Sequence, residues 1–113
     1  MSTNAFKARV KGAGSHYFDP QTMRFFNSVL HRTRQVDADR VYFVTSEQQD
    51  HLDGTVEPRA WSVRVAQFSS TPTGETVNVD TAEGHTFQEF TTRAAAVKAM
   101  HATADRWQRE HMS

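Results

Sequence analysis

His101 and Asp105 stand four residues apart, the spacing that brings two side chains onto one face of a helix and that can begin a metal site. A site needs three or four ligands, and His111 lies too far along the same stretch to join them directly. Asp50, His51 and Asp53 cluster in a polar segment without the spacing of a calcium loop. The chain has no cysteine, so thiolate ligands and thiol redox chemistry are excluded. Neither a metal nor a cofactor is expected.

Nucleophile patterns are equally thin. No Gly-x-Ser-x-Gly elbow occurs, and the adjacency of Ser15 and His16 carries little, because triads assemble in space and not along the chain. Lys11-Gly12-Ala13-Gly14 lacks the strand–loop–helix setting in which a glycine loop cradles phosphate. A small hydrolase or nucleotide-binding protein is therefore the third reading, and the chain is expected not to be an enzyme.

A surface of mixed chemistry stands out more. His16, Tyr17, Arg24, Asn27, Ser28 and His31 combine aromatic, guanidinium and amide groups, a composition suited to an interface. The plainer reading packs Tyr17 and Phe18 under a sheet and pairs Arg24 with an acid.

The elements that would position these residues follow from periodicity. Asp19-Pro20 starts a helix, with Asp19 as cap and Pro20 in the first turn. That helix is expected over Pro20–His31, with Met23, Phe26, Val29 and Leu30 on its apolar face and Arg24, Asn27, Ser28 and His31 opposite. Arg32–Arg40 reads as a loop. Val41-Tyr42-Phe43-Val44 is a β-branched and aromatic run suited to a strand in the middle of a sheet. After a polar loop over Ser46–Pro58, Trp61, Val63 and Val65 alternate with Ser62, Arg64 and Ala66, the period of a half-buried strand. Pro72-Thr73-Gly74 marks a hairpin into a strand holding Val77 and Val79, and Thr86–Thr91 resumes as strand. Thr92 caps a helix over Arg93–Glu110 whose stripe is Ala96, Val97, Met100, Ala104 and Trp107.

The resulting expectation is an α+β fold of two layers: an antiparallel sheet of three to four strands with two helices on one face, in the order α-β-β-β-α. Residues 1–14 form an N-terminal segment, either a short edge strand over Phe6, Ala8 and Val10 or a loosely held tail. Residues 15–113 form a single domain. Phe26, Phe43, Trp61, Val63, Met100 and Trp107 are the expected core.

Composition sets the outer limits. The chain has 113 residues, 37% hydrophobic and 11% aromatic, enough for one domain with its own core. Thirteen basic and thirteen acidic residues cancel, so no global field draws it to nucleic acid or anionic lipid. No stretch approaches the ~20 apolar residues of a membrane span, and Met1–Lys11 lacks the apolar run of a secretory signal. A cytoplasmic location without membrane contact is the expectation.

One stretch carries a resemblance. His16-Tyr17-Phe18-Asp19-Pro20-Gln21-Thr22-Met23-Arg24-Phe25-Phe26 resembles the aromatic-rich opening of a family of small proteins encoded by bacteriophages and prophages, a domain of unknown function. The likeness continues at Phe43-Val44-Thr45-Ser46-Glu47, through Trp61–Val65 and over Phe87–Ala96, spanning roughly Ser15 to Ala104; it departs around Val79–His85, where extra turn residues stand. The family brings no activity with it. The resemblance implies a phage-derived accessory protein working inside a bacterial host cell.

Together these readings favour a non-enzymatic protein that binds a macromolecule, foremost a protein that the host could supply. A sheet edge or the first helix would serve for pairing as a homodimer. The alternative is a nucleic-acid-binding module, because the order helix–three strands–helix matches double-stranded RNA-binding domains. Against it, Thr92–Lys98 offers only two positive charges, Arg93 and Lys98, where phosphate contacts would be needed.

Overall fold

Successive residues of a strand point to opposite faces, so a strand buried at every position requires cover on both sides of its sheet. The strand over Arg40–Glu47 is of that kind: Val41, Tyr42, Phe43 and Val44 are all fully buried. The computed structural model, which describes residues 2–25 and 27–112, shows what supplies the cover. In chain order the elements are α1 (Thr3–Gly12), α2 (Pro20–Phe25), β1 (Val29–Asp37), β2 (Arg40–Glu47), β3 (Ala60–Thr71), β4 (Gly74–Thr81) and α3 (Arg93–His111).

The four strands form one antiparallel sheet in the order β1-β2-β3-β4, so the α+β class and the meander are as expected. The layering differs from the two-layer expectation. Phe6 and Val10 of α1 pack on Val41, Phe43, Ala66 and Phe68. On the other face, Ala96, Met100 and Ala104 of α3 pack on Tyr42, Val44, Val63 and Val65. The two helices thus lie on opposite faces because β2 and β3 are apolar on both. Of the expected core, Phe43, Val63 and Met100 are fully buried, though Phe43 lies on the opposite face from the other two. Trp61 and Trp107 are half-buried against the α3 cluster, and Phe26 lies outside the described residues.

The N-terminal segment is neither an edge strand nor a tail. Ser2 caps α1, its hydroxyl accepting from Ala5 N at 3.1 Å. Phe6 and Val10 are four apart and share one helical face, a spacing that over a few residues also mimics strand alternation. Arg9 then fastens the helix: it donates to Glu75 at 3.0 and 2.9 Å, to Asp39 at 3.0 Å and to the Ala38 carbonyl at 2.6 Å. Its guanidinium carbon lies 3.8 Å from the centroid of the Phe68 ring.

The second helix stops early. Asn27 has φ +49° and Ser28 N donates to Met23 O at 2.8 Å, the left-handed residue and wide turn that close many helices. Val29 and Leu30 therefore open β1, and the segment expected as a charged loop is a strand. Its polar composition suits an edge position, and bulges at His31 and Val36 interrupt its register with β2.

Residues 82–91 are not a strand. They make one bridge, Trp61 to Phe90, with paired N–H···O bonds of 2.8 and 3.0 Å. The Pro72-Thr73-Gly74 hairpin and the Thr92 cap stand where expected, with Thr92 Oγ1 accepting from Ala95 N at 3.2 Å. Among the described residues no helix is long and apolar enough to cross a membrane.

Candidate functional site

The α1 face of the sheet is covered by α1 only over its Val41–Phe43–Ala66–Phe68 half. Further along the strands the same face carries Thr45 and Glu47 of β2 and Ser62 and Arg64 of β3. Of these, Glu47 and Arg64 floor a cleft of about 280 Å³. Tyr17, Thr22, Met23 and Ser28, from α2 and the turns that flank it, line one side, and Phe87 lines the other.

The floor is an ionic network. Arg64 donates from Nε to Thr45 Oγ1 at 3.0 Å and from Nη2 to Glu47 Oε1 at 3.3 Å. Thr45 Oγ1 donates to the same carboxylate oxygen at 2.9 Å, and the Ser62 hydroxyl approaches Glu47 Oε2 at 3.5 Å. The side chains of Glu47 and Arg64 are only 5% and 13% exposed, so both charges are largely removed from water. Aromatic faces shield the cation further: the guanidinium carbon is 5.7 Å from the Tyr17 centroid and 5.4 Å from that of Phe87. Burial pushes the Tyr17 phenol above its usual range, with the Arg64 charge pulling the other way.

Both walls are set by residues in the left-handed region. Asn27 ends α2, and Gln88 has φ +56°, a costly conformation for a side chain of its type. Gln88 is held there by its N–H to Ser62 Oγ at 2.8 Å, which places Phe87 beside Arg64. Outside the cleft the apolar surface continues. Leu52 is fully exposed, Phe25 is 81% exposed and Phe87 50%, and all three border a second depression over Gln48–His51.

The six residues expected as a binding surface separate. Tyr17 and Ser28 line the cleft. His16 is exposed at its outer edge, with Nδ1 2.6 Å from Asp19 Oδ2. Arg24 is exposed on α2 with no ion pair among the described residues. Asn27 is architectural, its amide donating to Gln48 O at 3.2 Å and reaching Asp50 Oδ2 at 3.3 Å. His31 sits in β1 on the other face of the sheet, 2.7 Å from the buried Ser46 hydroxyl and beside Trp61. The surface expected on one long helix is broken because the helix ends at Phe25. Glu47, Arg64 and Phe87, which also line the cleft, are not among those six. The signal for Arg64 was the alternation itself: with Ser62 it reads as the outward side of a half-buried strand, whereas both faces of β3 are covered.

A second constellation merits a chemical test. His85 lies with Nε2 2.8 Å from Thr103 Oγ1 and with Nδ1 3.3 Å from both Glu89 oxygens, the hydroxyl–imidazole–carboxylate order of an acyl-transfer relay. Thr103, however, is 5% exposed in the interior of α3, where neighbouring N–H groups are spent on the helix and cannot form an oxyanion hole. The trio clamps the 82–91 segment onto α3. Among the described residues no group of three or more His, Asp or Glu side chains is placed to hold a metal ion, His101 and Asp105 included; both instead contact Arg34, at 3.1 and 2.5 Å.

Comparison with known proteins adds one match. A family model, described as a family of unknown function (DUF7447), fits residues 2–101. No curated protein and no solved structure matches the chain.

Proposed function

The chain belongs to the DUF7447 family, a family of unknown function, and from its own geometry we propose that it is a non-enzymatic accessory protein that binds a protein partner through the Glu47–Arg64 cleft and its rim. The observation that carries this reading is the rim. Leu52 and Phe87 expose large apolar surface beside a polar, partly buried floor. Apolar residues bordering fixed hydrogen-bonding groups have the make-up of an interface core. The floor suits recognition better than catalysis, because Glu47 is engaged by Thr45, Ser62 and Arg64 and has no free base to offer.

The setting we propose is a phage- or prophage-encoded protein acting inside a bacterial cell on a host protein. It is supported by the aromatic stretch His16–Phe26 and its resemblance to phage proteins. The nucleic-acid alternative has less behind it, since the sheet has four strands and its helices take opposite faces, so the order that suggested it is not the one present.

The test is capture from a bacterial host lysate, with and without nuclease, by the wild type and by Leu52→Ser/Phe87→Ala. Leu52 is fully exposed and Phe87 is half-exposed beside Arg64, so the melting temperature should fall only slightly. A protein retained after nuclease by the wild type and lost from the variant is the expected result. Retention by the variant would place the interface elsewhere, and loss on nuclease treatment would favour nucleic acid.

A further inference from the structure

On the opposite face of the sheet, Arg32 of β1 and Arg93 and Lys98 of α3 border an open groove of about 550 Å³ whose remaining lining is Ala94 and Val97. All three cations are exposed, and among the described residues none has an acidic partner. Of the other cations, Arg9, Arg34, Arg40 and Arg64 are each paired with a carboxylate, and what sets these three apart is that they converge on one groove.

The placement opposes the stability of the free protein. Arg93 is the first residue of α3, the positive end of the helix dipole, and the first turn holds no acid. Natural sequences favour the reverse arrangement, and a local rule broken without compensation is expected where a ligand completes the site. A neighbouring group senses the same field. His31 is held below its usual range, first by burial and then by the charges of Arg93 and Arg59, with Glu47 acting in the opposite sense.

We propose that this groove binds an acidic peptide segment of a protein partner, with its carboxylates on Arg32, Arg93 and Lys98 and an apolar side chain over Ala94 and Val97. Charge complementarity selects an anion, and the lining selects a peptide. Nucleic acid draws its affinity from many phosphates, whereas this patch is small and the chain as a whole is neutral. Towards the helix centre the patch ends at Arg34, which Asp105 already neutralises at 2.5 Å. The apolar floor has no phosphate to meet but suits an aliphatic side chain between acids. This surface is separate from the Glu47–Arg64 cleft and stands or falls without it.

The experiment titrates the full chain, labelled with nitrogen-15, with a short synthetic peptide of alternating Glu and Leu at low salt. A duplex DNA of similar length is titrated in parallel. Amide shifts should centre on Arg32, Arg93, Val97 and Lys98, and affinity should fall as salt is raised. The His31 ring should titrate at higher pH in the complex, because the peptide cancels part of the Arg93 charge. Arg32→Ala/Lys98→Ala, both surface changes, should weaken the peptide about tenfold or more with an unchanged melting temperature. The proposal is overturned by no binding at low salt, by shifts centred on Leu52 and Phe87, by full affinity in the double variant, or by tighter binding of the DNA to the same amides.

Discussion

Arg64 Nη2 lies 3.3 Å from Glu47 Oε1, although the two are not opposite each other in the β2–β3 ladder, where Glu47 faces Ala60 and Arg64 faces Phe43. The pair runs diagonally along one face of the sheet, and Thr45 bridges it by bonding to both members. Removing two charges from water costs several kcal/mol per ion, and mutual attraction with added hydrogen bonds roughly offsets this. Such a pair adds little net stability, while either charge left alone is costly.

Arg64→Met should therefore destabilise the protein by about 3–5 kcal/mol, since it leaves the Glu47 carboxylate 5% exposed and uncompensated. Adding Glu47→Gln should restore most of the loss, because the amide still accepts from Thr45 and Ser62. Urea unfolding of both variants checks this. A single variant as stable as the wild type would mean that the pair is solvated.

The second expectation concerns α1. Phe6 is fully buried and packs 5.1 Å, centroid to centroid, from Phe43 and 5.5 Å from Phe18. Phe6→Ala should cost about 3–5 kcal/mol, the range for a large core aromatic. Lys11→Ala, exposed on the same helix, should change little. An unaltered melt for Phe6→Ala would return the segment to the status of a tail.

The strands at Val41, Trp61 and Val77, the Pro72 turn and the capped helix at Arg93 were legible because each has an unbroken period of its own type. What was missed lay where two periods fit the same few residues. Phe6, Ala8 and Val10 satisfy both strand alternation and a helical face, and only the apolar second face of β2 decides between them. Val29 and Leu30 extend the helical stripe of Met23, yet Asn27 in the left-handed region ends the helix, and that choice is local backbone chemistry rather than pattern. Arg32–Asp37 looks like a loop because an edge strand need bury little. The cleft was only half legible: Tyr17 and Ser28 could be named, but the diagonal Glu47–Arg64 pair depends on the register between two strands.

His31 gives a pH dependence whose sign can be worked out. Burial and the nearby Arg93 and Arg59 charges lower its pKa in the fold, so between the folded and unfolded values the unfolded chain binds more protons. Its contribution to stability is complete above the ordinary histidine range near 6.5 and is lost as pH falls from there through the folded value. Wild type should lose melting temperature over that window more steeply than His31→Gln, whose amide can still meet the Ser46 hydroxyl. Parallel curves would show that the imidazole is solvated in both states.

Asn27 distinguishes an architectural residue from a contact residue. It sits at φ +49° and its amide reaches both the Gln48 carbonyl and Asp50, so it fixes the end of α2 against the loop after β2. Two terms follow from a substitution. The left-handed conformation costs an ordinary L-residue about 1–2 kcal/mol, which glycine avoids. The hydrogen bonds contribute about 0.5–1.5 kcal/mol each, and any apolar replacement loses them. Asn27→Gly should therefore cost only the hydrogen bonds, Asn27→Ala should cost more, and Asn27→Val, β-branched, should be the worst of the three. Thermal and urea melts give the ranking. Because α2 carries Thr22 and Met23 of the cleft wall, partner capture should weaken in step with stability across the series. If all three variants melt like the wild type and capture alone is lost, Asn27 is a direct contact and the turn is held by other means.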